Sequence, residues 1–351
     1  MKHKKKKHLP LGLVVFLDAL MVGVILLTFA FFHHALPAFR SEQARLEALA
    51  AAATATTAAE PTVPETTIVT EPETVPTTVP DTRTEWQKKF ADHFTDEVVI
   101  TENSYTSPEV SVKIDTVVLG EGNSKITYYV ADVYVASLDN FTAYTAYGDM
   151  EYYETQAVEE MVAESNALFA ISGDFLTYQK GGFLLRNGET YVATSNRASI
   201  CVLYPDGTME TLIGGTYEID DVLARNPLQV WSFGPVLLDT EGKVRDKFEV
   251  SQTVSYPNPR SAVGYFEPGH YCFVVVDGRQ KGHSAGIRIP ELAKIFEDMG
   301  CTAAYNLDGG GSAVMLFNQK PFSRQSNGGD RKLGDILVIT EAGYRAEEAA
   351  Q

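Results

Sequence analysis

The sequence predicts an α+β fold: a single mixed-sheet domain with flanking helices over residues 85–345, preceded by one transmembrane helix and a Pro/Thr-rich stalk. Three observations predict it. Apolar runs with β-branched alternation recur through the C-terminal part of the chain, strands and amphipathic helices alternate there in irregular order, and composition changes abruptly near residue 84. At 351 residues and 44% hydrophobic content the chain has ample apolar surface for a substantial core.

Residues 1–40 read as a basic cytoplasmic tail and membrane anchor. "MKHKKKKH" is followed by "LGLVVFLDALMVGVILLTFAFF" (11–32), interrupted only by Asp18 and long enough to cross a bilayer as a helix. The lysines hold the N-terminus in the cytoplasm. No convincing small-x-small cleavage site precedes "LPAFR", so the reading is an uncleaved signal anchor in the cell membrane, with the body extracellular; the alternative, a cleaved signal peptide, exports the same body untethered. Residues 41–84 form the stalk: an Ala/Thr stretch gives way to "EPTVPETTIVTEPETVPTTVPDT", whose composition cannot bury enough apolar surface to fold.

The body begins in earnest with "VSVKIDTVVL" (110–119) and "KITYYVADVYVA" (125–136), both strands. "YETQAVEEMVAESNAL" (153–168) spaces Ala157, Met161, Val162 and Leu168 as a helix, and "FAIS" (169–172) is a short buried strand. Asn187-Gly188 and Asp206-Gly207 sit between alternating runs as hairpin turns. "YCFVVVDG" (271–278), "IPELAKIFEDMG" (289–300) and "CTAAYNLDG" (301–309) then give strand, helix, strand, compatible with a parallel crossover unit.

A formal net charge of −17, reached despite five lysines in the first eight residues, argues against nucleic acid as a partner. Cys201, Cys272 and Cys301 are too few and too odd in number for a disulfide framework and read as small buried hydrophobes. Both strands of the crossover unit end in Asp-Gly. As parallel neighbours they would project Asp277 and Asp308 from one edge, where ligands of such sheets sit. After Asp308, the Gly309-Gly310-Gly311 turn can aim successive N–H groups into an anion-binding nest, with Ser312 adding a hydroxyl. Arg260, Arg279, His283 and Arg331 also fall at strand ends or in glycine-rich loops, and guanidinium forks match phosphate bidentately.

"PRSAVGY" (259–265), "VVVDGRQ" (274–280), "YNLDGGGSAVMLF" (305–317) and "DRKLGDILVI" (330–339) resemble, in order, segments of the phosphodiester glycosidases, a family with bacterial members associated with exopolysaccharide. "ISGDFL" (171–176) and "FGPVLLDTEGKV" (233–244) extend the likeness over 165–340, with Ser172 standing where the family commonly has Asn. The resemblance implies hydrolysis of a sugar-1-phosphodiester of the GlcNAc type, on a cell-surface polysaccharide or wall polymer. It implies Asp308 and Asp174 as carboxylates at the reacting centre, Asp277 as a third acid, and Arg260 and Arg331 as phosphate clamps. Gly309, Gly310, Gly311 and Ser312 would cradle the anion and Asn306 would orient sugar hydroxyls. No cofactor is required by this reading. Two alternatives stay open: a phosphodiesterase holding a divalent cation, calcium or magnesium, on Asp174, Asp277 and Asp308, and a non-catalytic module that binds anionic glycan.

Overall fold

The computed structural model describes residues 81–148, 154–174, 181–326, 328, 331–342 and 344. The expected anchor and nearly all of the stalk lie outside the described residues. Among the described residues no helix is long and apolar enough to cross a membrane.

Three sheets surround one core. The first has seven strands in the order β1 (Val99–Ile100), β2 (Ser104–Thr106), β3 (Val110–Leu119), β4 (Ile126–Val135), β13 (His270–Val276), β12 (Arg260–Glu267) and β14 (Ala303–Asn306). The second runs β10 (Met209–Leu212), β9 (Ile200–Leu203), β11 (Gln229–Trp231), β7 (Phe183–Arg186), β8 (Glu189–Ala193). The third runs β16 (Lys320–Pro321), β15 (Met315–Phe317), β6 (Phe169–Ser172), β17 (Asp335–Ile339), β5 (Phe141–Thr145). The helices are α1 (Glu85–Lys89), α2 (Val158–Glu164), α3 (Ile219–Leu223), α4 (Gln252–Ser255) and α5 (Ile289–Met299).

Strand pleating sorts the apolar residues. On β12 and β13, Val263, Tyr265, Tyr271, Phe273 and Val275 face inward to the shared core with Ile171, Trp231, Tyr305 and Leu337. Their alternates, Ala262, Cys272, Val274 and Val276, face outward and are covered by Ile289, Leu292, Ala293 and Phe296 of α5. Likewise α2 covers the third sheet through Val158, Met161 and Val162, and α3 covers the second through Val222. All three cysteines are buried and free, as expected of small hydrophobes, with the Cys272 and Cys301 sulfurs 3.5 Å apart.

The α+β class stands, and both predicted hairpins are present as β7–β8 and β9–β10. Two expectations need correction. The helix expected at 153–168 is described only over Val158–Glu164. Ser165 turns its hydroxyl back onto the Met161 carbonyl at 2.7 Å and Asn166 adopts a left-handed φ of 49°, which stops the helix. Nor are β13 and β14 parallel neighbours: β12 lies between them and pairs antiparallel with both. Hairpin partner β12 occupies the place beside β13, so the crossover through α5 lays β14 on the other edge of β12. The functional consequence survives in altered form. The C-terminal ends of β13 and β14 still share an edge, now with the N-terminal end of β12 and its Arg260 between them.

Candidate active site

At the far end of the third sheet, β6 ends and β17 begins side by side, with Ser172 opposite Ile336. The Gly173 amide donates to the Asp335 carbonyl at 3.1 Å, and the Asp308 amide donates to the Gly173 carbonyl at 3.0 Å. A Cβ on Gly173 would stand 2.3 Å from Asp335 Oδ1, so only glycine lets that carboxyl lie across the strand end. Ser172, in the family's Asn position, has its Oγ 2.6 Å from Ser261 Oγ and donates to the Asp308 carbonyl at 3.2 Å. Three acids, Asp174, Asp308 and Asp335, are thereby gathered.

A single fully buried cation holds two of them. Arg186, the last residue of β7, places Nη2 2.8 Å from Asp174 Oδ2 and 2.9 Å from Asp335 Oδ2, while its Nε donates to Asp335 Oδ2 at 2.9 Å. Nη1 donates to the Val230 and Leu185 carbonyls at 2.6 and 3.0 Å, and the Ser232 amide donates to Asp174 Oδ2 at 2.9 Å. Asp174 Oδ1 and Asp335 Oδ1 are buried and accept no hydrogen bond from the described residues. One guanidinium between two carboxylates leaves excess negative charge in a low-dielectric site. Burial accordingly pushes Asp335 above the usual carboxylate range against the pull of Arg186. Burial also pushes Asp308 up to about 6; the Ser312 hydroxyl and the Arg331 charge pull it down, and the Asp174 charge adds to the rise. Sequence alone singles out neither Arg186 nor Asp335. The available signals were a charged residue closing the otherwise apolar run "FLLR" and an Asp opening the apolar run "DILVI".

Across β12 the balance reverses. Arg260 is buried, yet its guanidinium meets only carbonyls: Nη2 donates to Val254 at 2.6 Å and Tyr256 at 2.9 Å, and Nε donates to Ile287 at 3.2 Å. Burial lowers its pKa to about 10, the nearby positive charge of Arg279 adding to the effect. Arg279 donates from Nη2 to Asn258 Oδ1 at 2.8 Å and takes a left-handed φ of 58°, a conformation few non-glycine residues adopt. Among the described residues no salt bridge engages Arg260 or Arg279. This is a cationic corner without its own counter-ion.

The glycine turn is built for close approach more than for an open nest. A Cβ on Gly309 would come within 2.7 Å of the Pro259 carbonyl, and the Gly310 amide is used on that same carbonyl at 2.9 Å, with Gly310 at φ 64°. The Ser312 amide bonds the Gly309 carbonyl at 3.1 Å, and Gly309 donates toward the Asp308 carboxylate. So the expected run of free N–H groups is not formed; Pro259 claims part of it, and Gly310 instead lies against the Arg279 guanidinium. Asn306 is buried; its amide nitrogen donates to the Gly234 carbonyl at 2.7 Å and its Oδ1 has no partner among the described residues.

Asp277 and His283 form a separate knot. By parity Asp277 follows the inward residues of β13, where its Oδ2 accepts from Tyr129 at 2.9 Å and lies 2.6 Å from His283 Nε2. Its Oδ1 accepts from the Arg324 amide at 3.0 Å. With both oxygens so engaged, Asp277 ties down the loop carrying Arg279 and is not gathered with Asp174 and Asp308. The three-acid cation set of the alternative reading is therefore not assembled, and among the described residues no three His, Cys, Asp or Glu side chains are grouped to hold a metal ion. Arg331 is near enough to act on Asp308.

A family model described as phosphodiester glycosidase matches residues 165–340, half of the chain. The chain belongs to the phosphodiester glycosidase family. The family model runs from the end of α2 through β17 and so covers both the acid cluster and the cationic corner, and its members' domain is that of a glycosidase-type hydrolase. The SPbeta prophage-derived uncharacterized protein YomE of Bacillus subtilis (strain 168) is 27% identical over 163 residues, 45% of this chain and 25% of that protein's length. The matched part thus spans about a quarter of that relative. In fold, the chain is similar to the catalytic domain of zebrafish N-acetylglucosamine-1-phosphodiester α-N-acetylglucosaminidase, with a TM-score of 0.55 at 23% identity, covering 70% of this chain and 88% of that one. It is also similar to a hypothetical protein from Synechocystis, with a TM-score of 0.51 at 11% identity, covering 66% and 62%.

Proposed function

We propose that this domain cleaves a sugar-1-phosphodiester at the glycosidic bond, releasing free sugar and a phosphomonoester, with GlcNAc-1-phosphodiesters of cell-surface polysaccharide or wall polymer as the substrate type. The observation that carries this is a polarity around the N-terminal end of β12: three carboxylates gathered at Gly173 and Arg186, and two guanidiniums, Arg260 and Arg279, that form no salt bridge among the described residues. A sugar-1-phosphodiester is complementary to that polarity. Its phosphate seats on Arg260, Arg279 and Arg331, and its anomeric carbon faces Asp308 and Asp174.

In the step itself a water oxygen bonds to the anomeric carbon as the bond from that carbon to the phosphate oxygen breaks. The electron pair departs on the phosphate, which the arginines stabilise, and the water's proton passes to Asp308. The carboxylates offset the positive charge that builds on the sugar ring. An Asp308 titrating near 6 is ionised at neutral pH and basic enough to take that proton. Asp335 and Arg186 hold Asp174 in place.

The test is hydrolysis of UDP-GlcNAc and of a methyl phosphodiester of GlcNAc by residues 79–351 in ¹⁸O water. Label in free GlcNAc supports the proposal; label in phosphate, or GlcNAc-1-phosphate as product, refutes it. The same reading makes the protein a single-pass membrane protein with its domain extracellular, supported by the lysine-rich start and the apolar 11–32 span. Protease accessibility of the domain on intact cells checks that.

A further inference from the structure

Beside the site lies a cavity of about 520 Å³ that the reaction just described does not use. Its walls are the 197–199, 213–214, 233–236 and 245–254 stretches. It is physically continuous with the site's scaffold. The Ser232 amide, next to the wall residue Phe233, holds Asp174, and the Gly234 carbonyl holds Asn306. Tyr305, beside Asn306, accepts from the Phe233 amide at 2.9 Å and donates to the Ser199 carbonyl at 2.6 Å, pinning two walls to β14. Val254, on the remaining wall, gives its carbonyl to Arg260.

The charge of this cavity is opposite to that of the chain. Arg197, Arg245 and Lys247 line it against one acid, Glu249, in a protein of net charge −17. Among the described residues none of these three cations forms a salt bridge. The Arg197 backbone packs tightly on Gly214, where a Cβ would stand 1.9 Å from the Arg197 carbonyl. Three cations against one acid on the wall of a cavity attract anions, and guanidiniums suit phosphate oxygens.

We infer that this cavity receives a second phosphate of the aglycone, so that the preferred substrates are sugar-1-phosphodiesters whose leaving group carries a further phosphate beyond the scissile one. This rests on the proposed reaction and narrows its substrate class. Two sources share that chemistry, a nucleoside diphosphate and a polyol-phosphate chain.

The experiment compares kcat/KM for three GlcNAc-1-phosphodiesters: the methyl ester, UDP-GlcNAc, and an ester of glycerol phosphate bearing a terminal phosphate. In the wild type the second-phosphate substrates exceed the methyl ester by roughly 10–100-fold, the advantage shrinking as salt is raised. In the R197A/R245A/K247A variant that ratio collapses toward one. UDP-GlcNAc alone showing the advantage assigns the cavity to a diphosphate; the glycerol phosphate ester alone assigns it to a polyol phosphate. A wild-type ratio near one, or a ratio unchanged in the triple variant, overturns the inference while leaving the proposed reaction standing. Inorganic pyrophosphate, followed by thermal shift, separates the two claims from the other side. If no substrate turns over, protection of the wild type but not of the triple variant still upholds an anion cavity, and protection of neither overturns it.

Discussion

The two ends of the site treat burial in opposite ways. Around Asp174 and Asp335, buried carboxylates outnumber the one cation that holds them, and burial raises Asp308 and Asp335, the neighbouring carboxylate charges adding to the rise. Around Arg260 and Arg279, buried or loop-held cations meet carbonyls and an amide oxygen, with no salt bridge to an acid among the described residues. Each end by itself is electrostatically unfavourable, and each is improved by what the other lacks. Under the proposed reaction, the contrast is complementarity to a substrate that is negative at one end and develops positive charge at the other.

Removing the cation of the acid end is expected to break the comparison most severely. Arg186→Met leaves Asp174 and Asp335 facing each other unpaired, a loss of about 3–5 kcal/mol in urea unfolding, with activity abolished. Asp308→Asn is expected to lower kcat by roughly 10²–10⁴-fold while stabilising the fold. The sign follows from the raised pKa. Between about 4 and about 6 the folded state holds a proton that the unfolded chain releases, so the wild type is penalised only as pH rises through that window and above it. The variant should therefore gain about 1–3 kcal/mol at pH 7.5 and nothing below pH 4, measured by thermal unfolding across pH. Wild-type activity should rise through pH 6; a fall there would make Asp308 the acid rather than the base.

At the cationic end, Arg279→Ala is expected to reduce kcat/KM by roughly 10–100-fold, from the loss of a charge-assisted hydrogen bond to phosphate, with little change in unfolding. The smallest catalytic effect should come from Asp277→Asn. It loosens the Tyr129–His283–Arg324 knot by about 1–2 kcal/mol and lowers kcat less than tenfold, since this carboxylate reaches the reaction only through the Arg279 loop. Equal losses in kcat for Asp277→Asn and Asp308→Asn would dissolve the distinction between the two acids.

Much of this protein is legible along the chain. Strands β3, β6 and β13, the α5 helix and two hairpins follow from periodicity and turn residues, which act over a few positions. The glycines around Asp308 and Asp174 also mark places where the backbone must approach something closely. What the glycines approach was not legible: Gly173 makes room for Asp335, and Gly309 for Pro259.

Along the chain alone one reads strands β3, β4, β6 and β13, helix α5, two hairpins, the acid and glycine turns at strand ends, and the family resemblance. Which acids meet is a matter of packing. Inserting β12 between β13 and β14 separates Asp277 from Asp308, strand parity turns Asp277 inward, and Arg186 arrives from another sheet to join Asp335, 149 residues away. The reason is physical: periodicity is a property of neighbouring residues, whereas the neutralisation of a buried charge is settled by whichever distant strand end the packing delivers beside it.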